Sequence, residues 1–205
     1  MSFSRNQAPS VNAGSMADIA FLLLIFFLVT TTLETDQGIS RLLPSSDTQV
    51  PTPKAERNIL RISLNAQDAI MVGNQVVTLE EVPGLVMSFL DNGGKDSCSY
   101  CQGQGLNALS DSPKAAVVSL SSASQSSYAQ YIAIQDALSI AYTELRDREG
   151  LRLYQESFSS MKERWASPEV TAEEKQQLTQ KLKQLQNLFP QQIVESKLDP
   201  QNQAS

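Results

Sequence analysis

Asp18 is the only ionisable side chain between Arg5 and Glu34. It lies in SVNAGSMADIAFLLLIFFLVTTTLETD, residues 10–36, where Ile19 to Val29 is an unbroken run of Ile, Leu, Phe, Ala and Val. Placing an ionised carboxylate inside a hydrocarbon layer costs about 2.5–3.5 kcal/mol even on lenient insertion scales. No basic residue within the run offsets that cost. Apolar surroundings therefore favour the neutral form, the condition for a carboxyl group that takes up and releases protons. Ser15, three residues earlier on the same helical face, is placed to hydrogen-bond it, and Leu22, Ile25, Val29 and Thr32 continue that face. The competing reading is a carboxylate that snorkels to the membrane edge or only pairs helices during assembly. Intramembrane carboxylates by default mark proton or ion paths, so Asp18 is assigned as a proton carrier.

The second group with chemistry is Cys98 and Cys101, a CxxC inside the Gly/Ser/Gln-rich loop GGKDSCSYCQGQG. In an oxidising compartment a structural disulfide is the reading; a redox-active pair or half a metal site are the others. The chain holds two cysteines and no histidine, which leaves a zinc site short of ligands and removes imidazole from any catalytic scheme. The serine-rich SLSSASQSS has no local partner base and reads as a loop and helix entry. No enzyme, metal or organic cofactor is expected. A net charge of −6 argues against nucleic acid, because phosphate binding needs a basic face.

The elements that must position these groups follow from periodicity. Val11–Leu33 is a run of 23 residues, enough for a transmembrane helix, which needs ~20. A cleaved secretory signal fits poorly, since the run ends in three threonines and no A-x-A site follows. A buried helix of a soluble domain fits poorly as well, since the run has no amphipathic stripe. Residues 1–10 form a short tail, and 34–57, rich in Gly, Ser, Thr and Pro, an extended linker.

A small α/β (α+β) domain is expected over 58–198, with a tail at 199–205. NILRISLN alternates, placing Leu60, Ile62 and Leu64 on one face, and AIMVGNQVV reads as a hairpin around Gly73-Asn74. Thr78 and Glu81 form a capping box opening a helix to about Leu90, with Pro83 delaying or distorting its start. KAAVVSL is a buried strand, Tyr128–Arg146 an amphipathic helix, and QQIVES a last strand, giving a β-β-α-β-α-β order. The CxxC loop spans 91–113. An insertion at 150–190 carries a second capping box, Thr171 and Glu174, and a stripe of Leu178, Leu182, Leu185 and Leu188, read as packing on its own domain, with a partner-docking helix as the other reading.

The run MADIAFLLLIFFLVTTTLETDQGISRLLP resembles the N-terminal signature of the ExbD/TolR family: an Asp opening a Leu/Phe-rich helix, a Thr-rich exit and a Leu-Pro pair, here Asp18, Phe21 to Phe27, Thr30 to Thr32, and Leu43 and Pro44. SSYAQYIAIQDALSIAYTELRD is similar to the long periplasmic helix of a branch of ExbD proteins. The resemblance implies an inner-membrane subunit with a cytoplasmic N-terminus and a periplasmic domain. It further implies a homodimer within a ring of ExbB/TolQ-like multi-span subunits. Protons loading and unloading Asp18 would drive a TonB-like protein that opens outer-membrane transporters. Two other readings stay open: a TolR-like envelope-maintenance motor, and a membrane-anchored binding or structural protein with no proton role.

Overall fold

The computed structural model describes residues 13–30, 55–94 and 98–195. The chain divides into two compact units, residues 1–41 and 42–205. The first contributes one described element, α1 (Ala13–Thr30). At 1.5 Å per residue its 18 residues rise about 27 Å, against the ~30 Å of a hydrocarbon core. Among the described residues, no helix is long and apolar enough to cross a membrane. The expected 11–33 span runs past both ends of α1, and its outer residues lie outside the described ones. So do the 1–10 tail, most of the 34–57 linker with Leu43 and Pro44, and the 199–205 tail.

The second unit holds β1 (Ile59–Leu64), β2 (Ile70–Val72), β3 (Gln75–Val77), α2 (Val82–Leu90), β4 (Val117–Ser122), α3 (Tyr128–Tyr154), α4 (Phe158–Ala166), α5 (Ala172–Leu188) and β5 (Ile193–Glu195). The strands form one sheet in the order β3-β2-β1-β4-β5. β1 to β3 form an antiparallel meander, while β4 lies parallel to both β1 and β5. The observed order is thus β-β-β-α-β-α-α-α-β, which corrects the expected β-β-α-β-α-β. Both arms of AIMVGNQVV pair in the ladder as separate strands, and the insertion adds α4 as well as α5. SLSSASQSS is corrected too: its first four residues finish β4, and only its end enters α3, where the Ser127 hydroxyl accepts from Gln130 N at 3.3 Å.

Alternation in β1 buries Ile62 and Leu64 and leaves Arg61 exposed; β4 buries Val118 and Leu120 on the same side. Val82, Val86, Phe89 and Leu90 of α2 and Ile134, Leu138, Ala141 and Leu145 of α3 repeat at helical spacing and close one core with those strand residues. Each fully buried aliphatic side chain there contributes about 1.5–3 kcal/mol. The Thr78–Glu81 box forms as expected, with Thr78 N donating to Glu81 Oε2 at 2.7 Å. Its consequence is a 3₁₀ turn, Leu79–Glu81, before Pro83 permits the α-helix to begin at Val82.

α3 runs to Tyr154, eight residues beyond the expected end at Arg146. Gly150 is required near that end, because a Cβ there would lie 2.7 Å from Glu156 O and 3.0 Å from Phe158 N, where the chain folds back. α4 and α5 then close a smaller cluster of Phe158, Met161, Leu178 and Leu185, with Leu182 and Leu188 at its edge. The leucine stripe therefore packs on its own unit. Of the second capping box the forward half is seen: Thr171 Oγ1 accepts from Glu174 N at 3.3 Å, while the Glu174 carboxylate lies 3.4 Å from Arg164 Nε.

Arg146 joins the two clusters. It is 7% exposed, and its Nε and Nη2 donate to Phe189 O at 3.1 and 2.6 Å. Its guanidinium also lies over the rings of Tyr142 and Phe158, 5.6 and 5.5 Å from their centroids. Burial lowers its pKa to about 10 and raises that of Tyr142, against which the Arg146 charge works in part.

Arg146→Ala is expected to destabilise the second unit by about 2–4 kcal/mol, since a carbonyl loses both donors and a void remains; urea unfolding of the full chain measures it. Absorbance titration of the phenols is expected to show Tyr142 ionising at higher pH in the folded protein than in denaturant. The native state then holds a proton that the unfolded chain releases near pH 10, so Tyr142 lowers stability as pH climbs past 10. Arg146, whose folded value near 10 lies below its ordinary one, acts in the opposite sense above pH 10. Tyr142→Phe is expected to abolish the late absorbance step and to leave the Arg146 trend unopposed.

Candidate functional site

α1 carries the proton-carrier candidate. Every side chain described from Gly14 to Leu28 is exposed, Asp18 included. Phe21, Leu22, Leu24 and Phe26 are 59, 58, 63 and 59% exposed, so bare apolar surface runs round the whole helix. A helix that is apolar on all sides needs an apolar environment on all sides, from lipid or from other helices. Ser15 precedes Asp18 by one turn, and Leu22 and Ile25 follow on the same face. Val29 belongs to the last turn of the helix, and its side chain lies outside the described residues, as does Thr32. Asp18 is the one acidic or basic residue in α1. Chemically, this arrangement offers a single carboxyl group on an otherwise apolar surface.

In the second unit Cys98 and Cys101 are joined in a disulfide. Their loop is fastened to the C-terminal end of α2 by two adjacent side chains. Asn92, 1% exposed, donates from Nδ2 to Leu106 O and Ser110 O at 2.9 and 2.8 Å and accepts from Leu106 N at 2.8 Å. Asp91 accepts from Arg148 Nη1 and Nη2 at 2.6 and 2.9 Å and from Gln102 N at 3.2 Å. The loop backbone approaches so closely at Gly103 that a Cβ would lie 2.5 Å from Asn92 Cα. The hydrogen bonds to Asp91 are the main reason the Arg148 guanidinium holds its proton more tightly than usual. Fully buried Glu149 is held between Arg148 and Arg152, with Arg152 Nε 2.7 Å from its Oε2.

Among the described residues, no group of His, Cys, Asp and Glu could hold a metal ion. A cleft borders the loop, its lining including apolar Met87, Leu109 and Leu145 and polar Gln102, Gln104 and Arg148. Sequence reasoning singled out the cysteines but missed Asp91, Asn92, Arg146 and Arg148. No local pattern marks them, because Arg148 meets Asp91 across 57 residues and Arg146 meets Phe189 across 43.

The cysteines and α1 thus belong to different units. No curated protein matches the chain. The family model for the biopolymer transport protein ExbD/TolR matches residues 4–146, which takes in α1 with Asp18 and the second unit from β1 to most of α3. The chain belongs to the ExbD/TolR family, whose members are components of biopolymer transport.

Proposed function

We propose that this chain is the membrane-anchored subunit of a motor driven by the proton gradient of a bacterial inner membrane. In this reading residues 11–33 span the membrane once, with the N-terminus cytoplasmic and the second unit periplasmic. Two copies stand within a ring of ExbB/TolQ-like subunits, and the load is a TonB-like protein serving outer-membrane transport. The observation that carries the reading is Asp18, the one charge-bearing side chain on a helix that is bare and apolar all round. Family membership supports the transport setting.

Physically, the ring supplies the apolar walls that α1 lacks among the described residues. A proton crossing 100 mV releases about 2.3 kcal/mol. Ionised Asp18 prefers a polar or cationic neighbour on the ring, and neutral Asp18 prefers an apolar one, so each proton changes the favoured position of the helix. Rotation or displacement of α1 then reaches the second unit through residues 34–57. The resemblance of α3 to the long helix of ExbD proteins favours the ExbD role over the TolR role.

Asp18→Asn keeps the size and polarity of the side chain and removes the exchangeable proton. The expected outcome is a variant that still co-purifies with the ring subunits, while gradient-dependent uptake falls to the level seen with an uncoupler. Asp18→Glu, which keeps a titrating group, is expected to retain part of the activity. Full uptake by the Asn variant would leave Asp18 an assembly residue and remove the motor reading.

A further inference from the structure

The disulfide closes a ring of only four residues, yet Tyr100 inside it makes contacts far away in the chain. Tyr100 Oη donates to Leu188 O at 2.8 Å, across 88 residues. Its ring meets that of Phe189 edge-on, with centroids 5.5 Å apart. Phe189 is fully buried, and its carbonyl is the one held by Arg146. Tyr100 thus fastens the last turn of α5, where the amide of Phe189 still bonds to Leu185 O at 3.2 Å. Both cysteines are partly exposed and flank the exposed Ser99. With two cysteines in the chain, opening the bond leaves no third thiol to form a wrong pair. A ring this short restrains the unfolded chain less than a longer loop would. Its main consequence in the folded protein is the seating of Tyr100.

We propose that Cys98–Cys101 is a reducible clip, and that its opening by a protein dithiol releases Tyr100 from the end of α5 and loosens the α4–α5 hairpin. A thiolate of the dithiol attacks one cysteine sulfur and breaks the S–S bond, forming a mixed disulfide and freeing the other cysteine as a thiolate. The second thiol of the dithiol then attacks its own sulfur in the mixed disulfide and displaces the remaining cysteine. The dithiol leaves oxidised, and Cys98 and Cys101 end as two thiols, having gained two electrons and two protons. Asp91 and Asn92 continue to hold residues 102–110, so the change is confined to the clip and to what Tyr100 touches. The clip responds to thiols whether or not Asp18 carries protons.

The test is hydrogen exchange of the full chain in detergent micelles, with and without dithiothreitol, with the cysteine state read by alkylation and mass. Reduction is expected to speed exchange at the amides of Leu188 and Phe189 by about two- to tenfold, the size set by loss of one neutral hydrogen bond. Amides of β1 and β4 are expected to stay unchanged. Tyr100→Ala is expected to show the faster exchange already in the oxidised protein, with no further change on reduction. The proposal is overturned if dithiothreitol leaves the cysteines bonded, or if reduced protein exchanges at Leu188 and Phe189 as oxidised protein does. Faster exchange of the whole unit on reduction would also overturn it, by making the bond a support of the core.

Discussion

The carbonyl of Phe189 is the point on which the second unit closes. Helix α5 has to end there for the chain to turn back toward the sheet, and an ending helix leaves carbonyls without intrahelical donors. Arg146 supplies two donors from the middle of α3 and lies over the Tyr142 and Phe158 rings, one in the sheet-backed core and one in the hairpin cluster. Tyr100 covers the neighbouring carbonyl of Leu188. With both carbonyls bonded, the chain reaches Gln192, whose carbonyl accepts from Val118 N at 2.9 Å, and β5 adds to β4 in parallel register. One buried guanidinium thereby joins three segments distant in sequence. Among the described residues its partners are a carbonyl and two ring faces, so the charge is solvated by dipoles and quadrupoles.

The elements built from neighbouring residues were legible from the sequence. Alternation in NILRISLN, the turn in AIMVGNQVV, the Thr78–Glu81 box and the helical stripe from Tyr131 to Leu145 each depend on contacts between residues close in the chain, and each corresponds to an observed element. The hairpin hid a strand only because its two arms are three residues each. The overrun of α3 to Tyr154 had a different cause. Arg146, Glu149 and Gly150 break the apolar stripe although they are buried: Arg146 bonds to Phe189 O, Glu149 pairs with Arg148 and Arg152 on its own helix, and Gly150 lies against the returning chain at Glu156 and Phe158. α4 was hidden for a related reason: nine residues with two buried side chains give too short a stripe to read. The site divides in the same way, since Asp18 is conspicuous through its own neighbours, whereas the fastening of the CxxC loop rests on pairs separated by 11 to 57 residues.

The two units solve opposite problems with polar groups. In the second unit Glu149 and Arg146 are deeply buried and are held by partners within the chain, which makes them structural. In α1 the single carboxyl group stands among exposed apolar side chains with no basic residue on its helix. A group whose partners come from its own fold is stable in one state; a group whose surroundings must be supplied from outside responds to whatever supplies them. In the proposed motor, that contrast makes α1 the responsive element and the α/β unit the structural one.

Rigidity in the second unit has a mechanical consequence for the proposed motor. Force entering at the start of β1 is passed along a parallel pair with β4 over six registered residues, and from β4 to β5. Asn58, just before β1, donates to the Asp111 carboxylate at 3.1 Å and accepts from Asp111 N at 2.8 Å, with Arg57 paired to the same carboxylate. Pull on residues 55–58 is therefore shared between the first strand and the loop that leads into the fourth. Parallel strands loaded lengthwise resist together, because all their bonds must shear at once. A unit joined in this way moves as a body when its N-terminal tether moves, which is the property a transmitter of helix motion requires.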